Sequence, residues 1–459
     1  MKPNYFKYAI LLISLSVIGC QKNFLDKVPD KSLLVPVNLS DFQAILDNSN
    51  AVMNYVPYLP EIATDDIYIT NAGFASQYNQ DQNSYLWATD IFQGITGSDW
   101  DIPYQQVFYA NIVLDGLKGF SKTPATQQQM KQMTGSALFY RAFAFYNVAQ
   151  EFAAPYNSST AESDLGIPLR LTSDVNEVSK RGTEAQTYAQ IITDLTEAED
   201  LLPETTPYKT RPTKIAALAL LSRVYQTMQN YSRALQYASD VLTADNQLIN
   251  YNALDSTAAF PLPAALPNGN SEVLFYSVLI NNNFLGGAAS LTSVDTTLYR
   301  SYISNDLRKE LFFNHQGRGI YLFKGFYTGN QFTFAGLALD EVYLIRAECY
   351  ARLGNTAASL LDLNTLLAPR FKTGTFQPFT ASTADEALAL VLTERRKELV
   401  YRNLRWVDLR RLNQDPRFRV TLHRNINGQT YLLAPNDGKY TFPIPNDVIS
   451  NSGIQQNPR

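Results

Sequence analysis

An adjacent pair of carboxylates, Asp65 and Asp66, is the first candidate for chemistry in the sequence. Glycoside hydrolysis uses two carboxyl groups that face each other across the sugar, whereas side chains adjacent in sequence usually point apart. No second acidic partner is identifiable, and the motifs of a nucleophilic serine, a zinc protease and a phosphate-binding loop are missing. Because catalysis requires a complete set of groups, we expect that this protein is not an enzyme.

The sequence also argues against a metal or a cofactor. Neither His315 nor His423 lies at ligand spacing from another His or Cys. Calcium is possible because oxygen-rich loops are present, but no loop of regularly spaced acidic residues supports it. Cys349 falls in a predicted helix and is expected to be a buried free thiol, with no disulfide.

Residues suited to binding sugars are concentrated between Glu61 and Gly97, and in the loops Asn281–Phe284 and Phe326-Tyr327. A sugar ring stacks its apolar face on an aromatic ring, while its hydroxyl groups need amide or carboxylate partners. For each ring, packing in the core is the competing interpretation, and it is the one that we adopt for Trp100. The predicted ligand-binding residues are Asp65, Asp66, Tyr68, Phe74, Tyr78, Trp87, Phe284 and Tyr327.

Pairs of antiparallel helices are the elements that must carry these loops. Ala338–Pro369 has apolar residues at three-to-four spacing on both sides of Gly354-Asn355, which ends the first helix. Thr213–Leu242 has the same organisation and matches part of the tetratricopeptide pattern through Tyr225, Tyr231 and Ala234. One such hairpin buries too little surface to be stable alone, so we expect stacked hairpins.

Other segments complete the predicted framework. Helices are expected from about Tyr104 to Gly119, over Thr126–Phe152, and after a Thr183 cap. Glu272–Ile280 is the best strand candidate, and a short strand is expected in the GIPL segment after Leu165. In a further helix over Asp385–Leu412, we expect ion pairs between Glu398 and Arg402 and between Arg405 and Asp408.

The first twenty residues have the pattern of an export signal. Lys2 and Lys7 precede the apolar run Tyr8–Ile18, which is too short to span a bilayer of about 30 Å. Gly19-Cys20 then resembles a lipoprotein processing site. We predict a signal peptide over residues 1–19, acylation of Cys20 and a lipidated tether over residues 20–36; an ordinary secretory signal is the alternative.

Composition narrows the class of partner. The 459 residues have a net charge of −4 and no basic run, which argues against nucleic acid. Hydrophobic residues make up 45% of the chain, enough for a large core.

A series of segments occurs along the chain in a definite order: FLDKVP after Cys20, TDD at Thr64–Asp66, WDIPYQQVFYANIVLDGL from Trp100, FYRAFAFYNVAQEFAAPY with GIPL, PTKIAALALLSRVY, EVYLIRAECYARLGN with DLN, ERRKELVYRNLRWVDLRR from Glu394, and FPIPNDVISNSGIQQNP near the end. In their order and spacing these segments resemble the SusD/RagB family of outer-membrane nutrient-binding lipoproteins. One departure is Val400–Asn403, where the family usually has an acidic residue and a glycine; we interpret it as a surface change.

The resemblance implies a mainly α fold in which four tetratricopeptide-like hairpins pack against a loop-rich region with a few short strands. It implies an N-terminal helical region over residues 37–249 and a C-terminal SusD/RagB-like region over residues 250–459. It also implies a cell-surface lipoprotein that binds oligosaccharide nutrients and delivers them to a TonB-dependent outer-membrane channel. A peptide-binding lipoprotein, a helical-repeat scaffold for other proteins, and a hydrolase remain the alternatives.

The lipidation of Cys20 can be tested directly. We expect Cys20→Ala to release the protein from the membrane fraction, because the acylated sulfur and amine would be the anchor. Immunoblots of soluble and membrane fractions measure this. A Cys349→Ala control should remain membrane-bound, and continued membrane association of Cys20→Ala would contradict lipidation.

Overall fold

Helices account for most of the regular secondary structure. The computed structural model describes residues 36–285 and 292–459. The predicted signal peptide, Cys20 and the tether as far as residue 35 lie outside the described residues. Among the described residues, the α-helices are α1 Leu39–Leu46, α2 Leu59–Ile62, α3 Asn71–Ala75, α4 Asn79–Tyr85, α5 Ser98–Lys118, α6 Gln127–Phe152, α7 Glu184–Leu201, α8 Lys214–Thr227, α9 Tyr231–Ala244, α10 Thr296–Ser301, α11 Arg308–Phe312, α12 Leu339–Arg352, α13 Thr356–Leu367, α14 Ala384–Glu398, α15 Arg405–Leu412 and α16 Asn446–Ser452.

The strands are short and pair in twos. β1 pairs with β6 in parallel, and the antiparallel pairs are β2–β7, β3–β4, β5–β10, β8–β9 and β11–β12. The fold is therefore mainly α, as predicted. The strands are β1 Tyr55–Val56, β2 Ile67–Ile69, β3 Leu165–Pro168, β4 Arg181–Thr183, β5 Val273–Phe275, β6 Val278–Leu279, β7 Thr292–Val294, β8 Phe313–His315, β9 Tyr321–Phe323, β10 Leu337–Ala338, β11 Leu422–Ile426 and β12 Gln429–Leu433.

Successive long helices pack on one another within the compact unit Phe42–Arg459. The order of packing is α5, α6, α7, α8, α9, α12, and then α13 and α14. Both predicted hairpins are confirmed, as α8–α9 and α12–α13. Asn230 and Asn355 each begin the second helix of a hairpin by accepting a hydrogen bond from a backbone N–H three residues on.

Local signals placed most helix ends correctly. Thr183 begins α7 with a capping box completed by Gln186. The GIPL segment contributes to β3, and Cys349 is a buried free thiol, as predicted. The predicted strand Glu272–Ile280 is instead divided into β5 and β6, because its two halves pair with different partners, β10 and β1.

The two predicted intrahelical ion pairs are wrong. Helix α14 ends at Glu398, and the chain turns before α15, with Tyr401 and Asn403 at positive φ. Glu398 and Arg402 therefore do not share a helix face, and Arg402 pairs with Asp340 at 2.9 Å. Arg405 pairs with Asp65 at 2.7 Å rather than with Asp408.

The family departure at Val400–Asn403 is also not a surface change. Val400, Tyr401 and Arg402 are buried. Asn403 adopts the left-handed conformation that favours glycine, and its backbone N–H donates to Glu61 Oε2 at 2.8 Å. The turn thus fastens α14 and α15 to the segment that begins at α2.

Buried ion pairs join elements that are far apart in sequence. Arg370 contacts Glu398 at 2.8 Å and Glu272 at 2.9 Å. Arg308 contacts Glu398 at 3.0 Å and Glu394 at 2.6 Å. The side chains of Arg308, Arg370, Glu272 and Glu398 are fully buried, so each charge is compensated only by its partners within the protein.

We expect Arg370→Leu to destabilise the protein by about 3–5 kcal/mol, because it removes a shared cation from two buried carboxylates. Urea unfolding followed by circular dichroism measures the change. Lys372→Met, which breaks the exposed Lys372–Glu310 pair nearby, is the matched control and should cost well under about 1 kcal/mol. Equal effects of the two variants would contradict the role of the buried pair.

Candidate ligand cleft

A cleft of about 810 Å³ lies where three separate segments meet. The first segment is Tyr78–Asp81 at the start of α4, the second is Leu279–Asn283 after β6, and the third is Gln331–Thr333. Tyr58 and Ser98 complete the lining. Three loops from different parts of the chain thus converge on one concavity, as small-molecule sites commonly require.

Backbone hydrogen bonds hold the second and third segments side by side. Leu279 N–H donates to the Thr333 carbonyl at 3.0 Å, and Val278 forms an isolated β-bridge with Phe334. Asn330 Oδ1 accepts the Phe332 N–H at 2.9 Å. These contacts fix the backbone on both sides of Phe332.

Two aromatic side chains in the cleft remain open to solvent. Tyr78 is 65% exposed and Phe332 is 40% exposed. Leu279 and Ile280 provide buried apolar surface in the lining. Five amide side chains also line the cleft: Gln80, Asn281, Asn282, Asn283 and Gln331. The cleft therefore combines rings for stacking with donors and acceptors for hydroxyl groups.

Acidic and phenolic groups form one wall. Tyr58 Oη donates to Asp81 Oδ1 at 2.7 Å and accepts from Gln80 Nε2 at 2.6 Å. Behind this wall, Asp99 Oδ2 accepts the backbone N–H groups of Tyr58 and Leu59 at 2.9 and 2.8 Å. Burial raises the pKa of Asp81 to about 6, opposed by the Tyr58 hydrogen bond, and burial raises the pKa of Asp99 to about 7.

Of the predicted ligand-binding rings, Tyr78 alone lines this cleft among the residues that the structure describes. Tyr68 is exposed on β2, outside the lining, and its role in binding stays a prediction. Asn281–Asn283, which belong to the predicted loop Asn281–Phe284, line the same cleft as Tyr78.

Four other predicted rings lie in the interior. Phe74 and Phe284 both pack against Tyr85, with ring centroids 6.0 and 5.9 Å from the Tyr85 ring. Trp87 is 1% exposed, and its Nε1 donates to the Ala63 carbonyl at 2.9 Å. Tyr327 Oη donates to Glu272 Oε2 at 2.6 Å, inside the ion-pair network. All four rings are buried in this arrangement, and their role in ligand binding stays a prediction.

Asp65 and Asp66 hold their segment to α14 and α15. Asp65 accepts two hydrogen bonds from Arg405, at 2.7 and 2.9 Å, and Asp66 accepts one from Arg396 at 2.7 Å. Burial alone would raise the pKa of Asp65, but the Arg405 and Arg396 guanidinium groups outweigh it and lower this pKa. The carboxylate oxygens of Asp65 and Asp66 are thus largely occupied by hydrogen bonds from the protein.

Sequence reasoning missed Phe332, Gln331, Tyr58 and Asp81 as cleft residues. Phe332 could have been found, because Gln331-Phe332 has the same amide-aromatic pattern as the predicted loops. Tyr58 and Asp81 had no comparable signal, since their roles depend on a contact across 23 positions. In the described part of the chain, no group of three or more His, Cys, Asp or Glu side chains could hold a metal ion.

Comparisons with known proteins identify the fold. A family model described as "Starch-binding associating with outer membrane" matches residues 23–226, and a model described as "SusD family" matches residues 337–459. The chain belongs to the SusD family. No helix in the described ranges is both long enough and apolar enough to cross a bilayer.

One relative in sequence and two solved structures are similar to this protein over nearly the whole chain. A SusD-like protein P2 of Formosa agariphila is 22% identical over 98% of this chain and 99% of its own. A putative sugar-binding protein of Bacteroides vulgatus has a TM-score of 0.74 at 21% identity, covering 93% and 99% of the two chains. A SusD superfamily protein of Bacteroides thetaiotaomicron has a TM-score of 0.74 at 22% identity, covering 92% and 100%.

Because Trp87 is buried and Tyr78 is exposed, replacing each with alanine should change the stability of the protein by different amounts. We expect Trp87→Ala to lower the free energy of unfolding by about 3–5 kcal/mol, because it leaves a cavity and an unpaired Ala63 carbonyl. Tyr78→Ala should change it by less than about 0.5 kcal/mol, as for an exposed side chain. Urea denaturation of both variants measures this, and a stable Trp87→Ala protein would contradict the packing role.

Proposed function

We propose that this protein binds oligosaccharide nutrients in the cleft between Tyr78 and Phe332. The observation that carries the proposal is the pairing of two exposed rings with five amide side chains in one concavity. A pyranose presents an apolar face and a rim of hydroxyl groups, so it needs this combination. Membership of a family described as starch-binding supports the same class of ligand.

The cellular role follows from the same family. We propose that the protein is held at the outer membrane through acylated Cys20 and delivers its ligand to a TonB-dependent channel. The description of the N-terminal family model as associating with the outer membrane supports the location. The export signal and the cysteine that follows Gly19 support the anchor.

A peptide ligand is the second candidate, since amide side chains also bind backbone groups. The exposed rings favour sugar, because stacking on a flat ring is a main source of affinity for an otherwise hydrophilic ligand. Hydrolysis is disfavoured, because Asp81 is the one carboxylate in the described lining and faces no second carboxylate across it.

The proposal predicts a loss of affinity without a loss of stability. Tyr78→Ala and Phe332→Ala should each weaken glycan binding by about 1–3 kcal/mol, the range found when a planar group loses its aromatic stacking partner. Calorimetric titration with the best binder from a glycan array measures the change.

Tyr208→Ala is the matched control, since Tyr208 is an exposed tyrosine outside the cleft. This variant should bind as the unmodified protein does. Unchanged affinity in both cleft variants, or a peptide library that outcompetes every glycan, would refute the proposal.

A further inference from the structure

The described lining of the cleft contains an acidic side chain but no basic one. Among its described lining residues, Asp81 is the one ionisable carboxylate, and Lys, Arg and His are absent. The remaining polar groups are neutral amides and hydroxyls. A site built for carboxylated or sulfated ligands would place guanidinium or ammonium groups at the ligand, as Arg does for carboxylate and phosphate.

Asp81 also has unused hydrogen-bonding capacity. Its side chain is fully buried, and Oδ1 accepts the Tyr58 hydroxyl at 2.7 Å. Among the described residues, its other oxygen, Oδ2, is buried without a hydrogen-bond partner. A buried acceptor without a partner is destabilising, so a donor supplied by a ligand in the cleft would be favoured there.

A second buried carboxyl group, Asp99, is connected to this wall through Tyr58. Asp99 binds the backbone N–H of Tyr58, and the phenol of that same residue binds Asp81. Asp99 therefore lies behind the wall that Asp81 forms. In this buried setting charges are weakly screened, so an anion brought into the cleft would be repelled and an ammonium group attracted.

We infer that the cleft selects neutral or amine-bearing glycans and rejects acidic ones, and that Asp81 makes this distinction. Because Oδ2 is buried in the cleft as described, a side-chain shift in this wall on ligand binding lets it accept a hydrogen bond from a ligand hydroxyl or ammonium group. Tyr78 and Phe332 stack on the apolar face of the sugar, and Asp81 interacts with the charge of the sugar's substituents. This inference rests on the proposed function and narrows it from glycans in general to one charge class.

A glycan array that carries matched neutral, amine-bearing, carboxylated and sulfated forms of the same backbones tests the inference with the unmodified protein. The expected result is binding of a neutral or amine-bearing form at least tenfold tighter than its acidic counterpart. Equal or tighter binding of acidic forms would overturn the inference while leaving glycan binding intact. Binding to no glycan on the array would overturn the proposed function, and this inference with it.

Asp81→Asn tests the residue itself. Asn retains an acceptor for Tyr58 but replaces the free carboxylate oxygen with an N–H donor and removes the charge. We expect at least a tenfold loss of affinity for the preferred glycan, with reduced discrimination against its acidic form. Asp200→Asn, which removes one exposed charge from α7, is the control. Identical binding by the two variants, with unchanged thermal midpoints, would overturn the role of Asp81.

Discussion

The architecture depends on guanidinium–carboxylate pairs that are sealed from water. Arg370 joins Glu272, which directly precedes β5, to Glu398 at the end of α14, and Arg308 joins Glu398 to the start of α11. A buried charge is tolerated only while its partners stay in place, so each pair fixes the relative positions of the elements that carry it. Hydrophobic packing alone would permit more variation, because it is not directional.

Buried charged side chains also hold the segments that lead into the cleft. Glu272 leads through β5 and β6 into Asn281–Asn283, and it accepts a hydrogen bond from Tyr327, which lies five residues before Phe332. Buried Arg424 donates to the carbonyls of Thr64, Ile67 and Tyr85, and Tyr85 ends α4. The polar segments that line the cleft are therefore fixed by contacts with buried side chains.

The sequence was informative where structure is local. The hairpins α8–α9 and α12–α13 and the Thr183 cap follow from spacing and capping chemistry within about thirty residues. The ion pairs could not be predicted, because residues such as Arg405 and Asp65 are 340 positions apart. Spacing instead favoured pairs between residues close in sequence, such as Glu398 and Arg402, which the structure does not form. Composition likewise could not separate Trp87, which is buried beneath Arg424, from Tyr78, which is exposed, since both occur in the same polar, aromatic stretch.

Relatives at about 22% identity establish the fold, whereas the proposed choice of ligand rests on cleft residues such as Tyr78, Asp81 and Phe332. A crystal structure with a bound oligosaccharide is the most direct test of this account. It should place sugar rings against Tyr78 and Phe332, with the Arg370–Glu272 and Arg370–Glu398 pairs unchanged. Sugar bound instead in the ring-free cavity beside Asn157 and Asn436, or a rearranged ion-pair network, would contradict it.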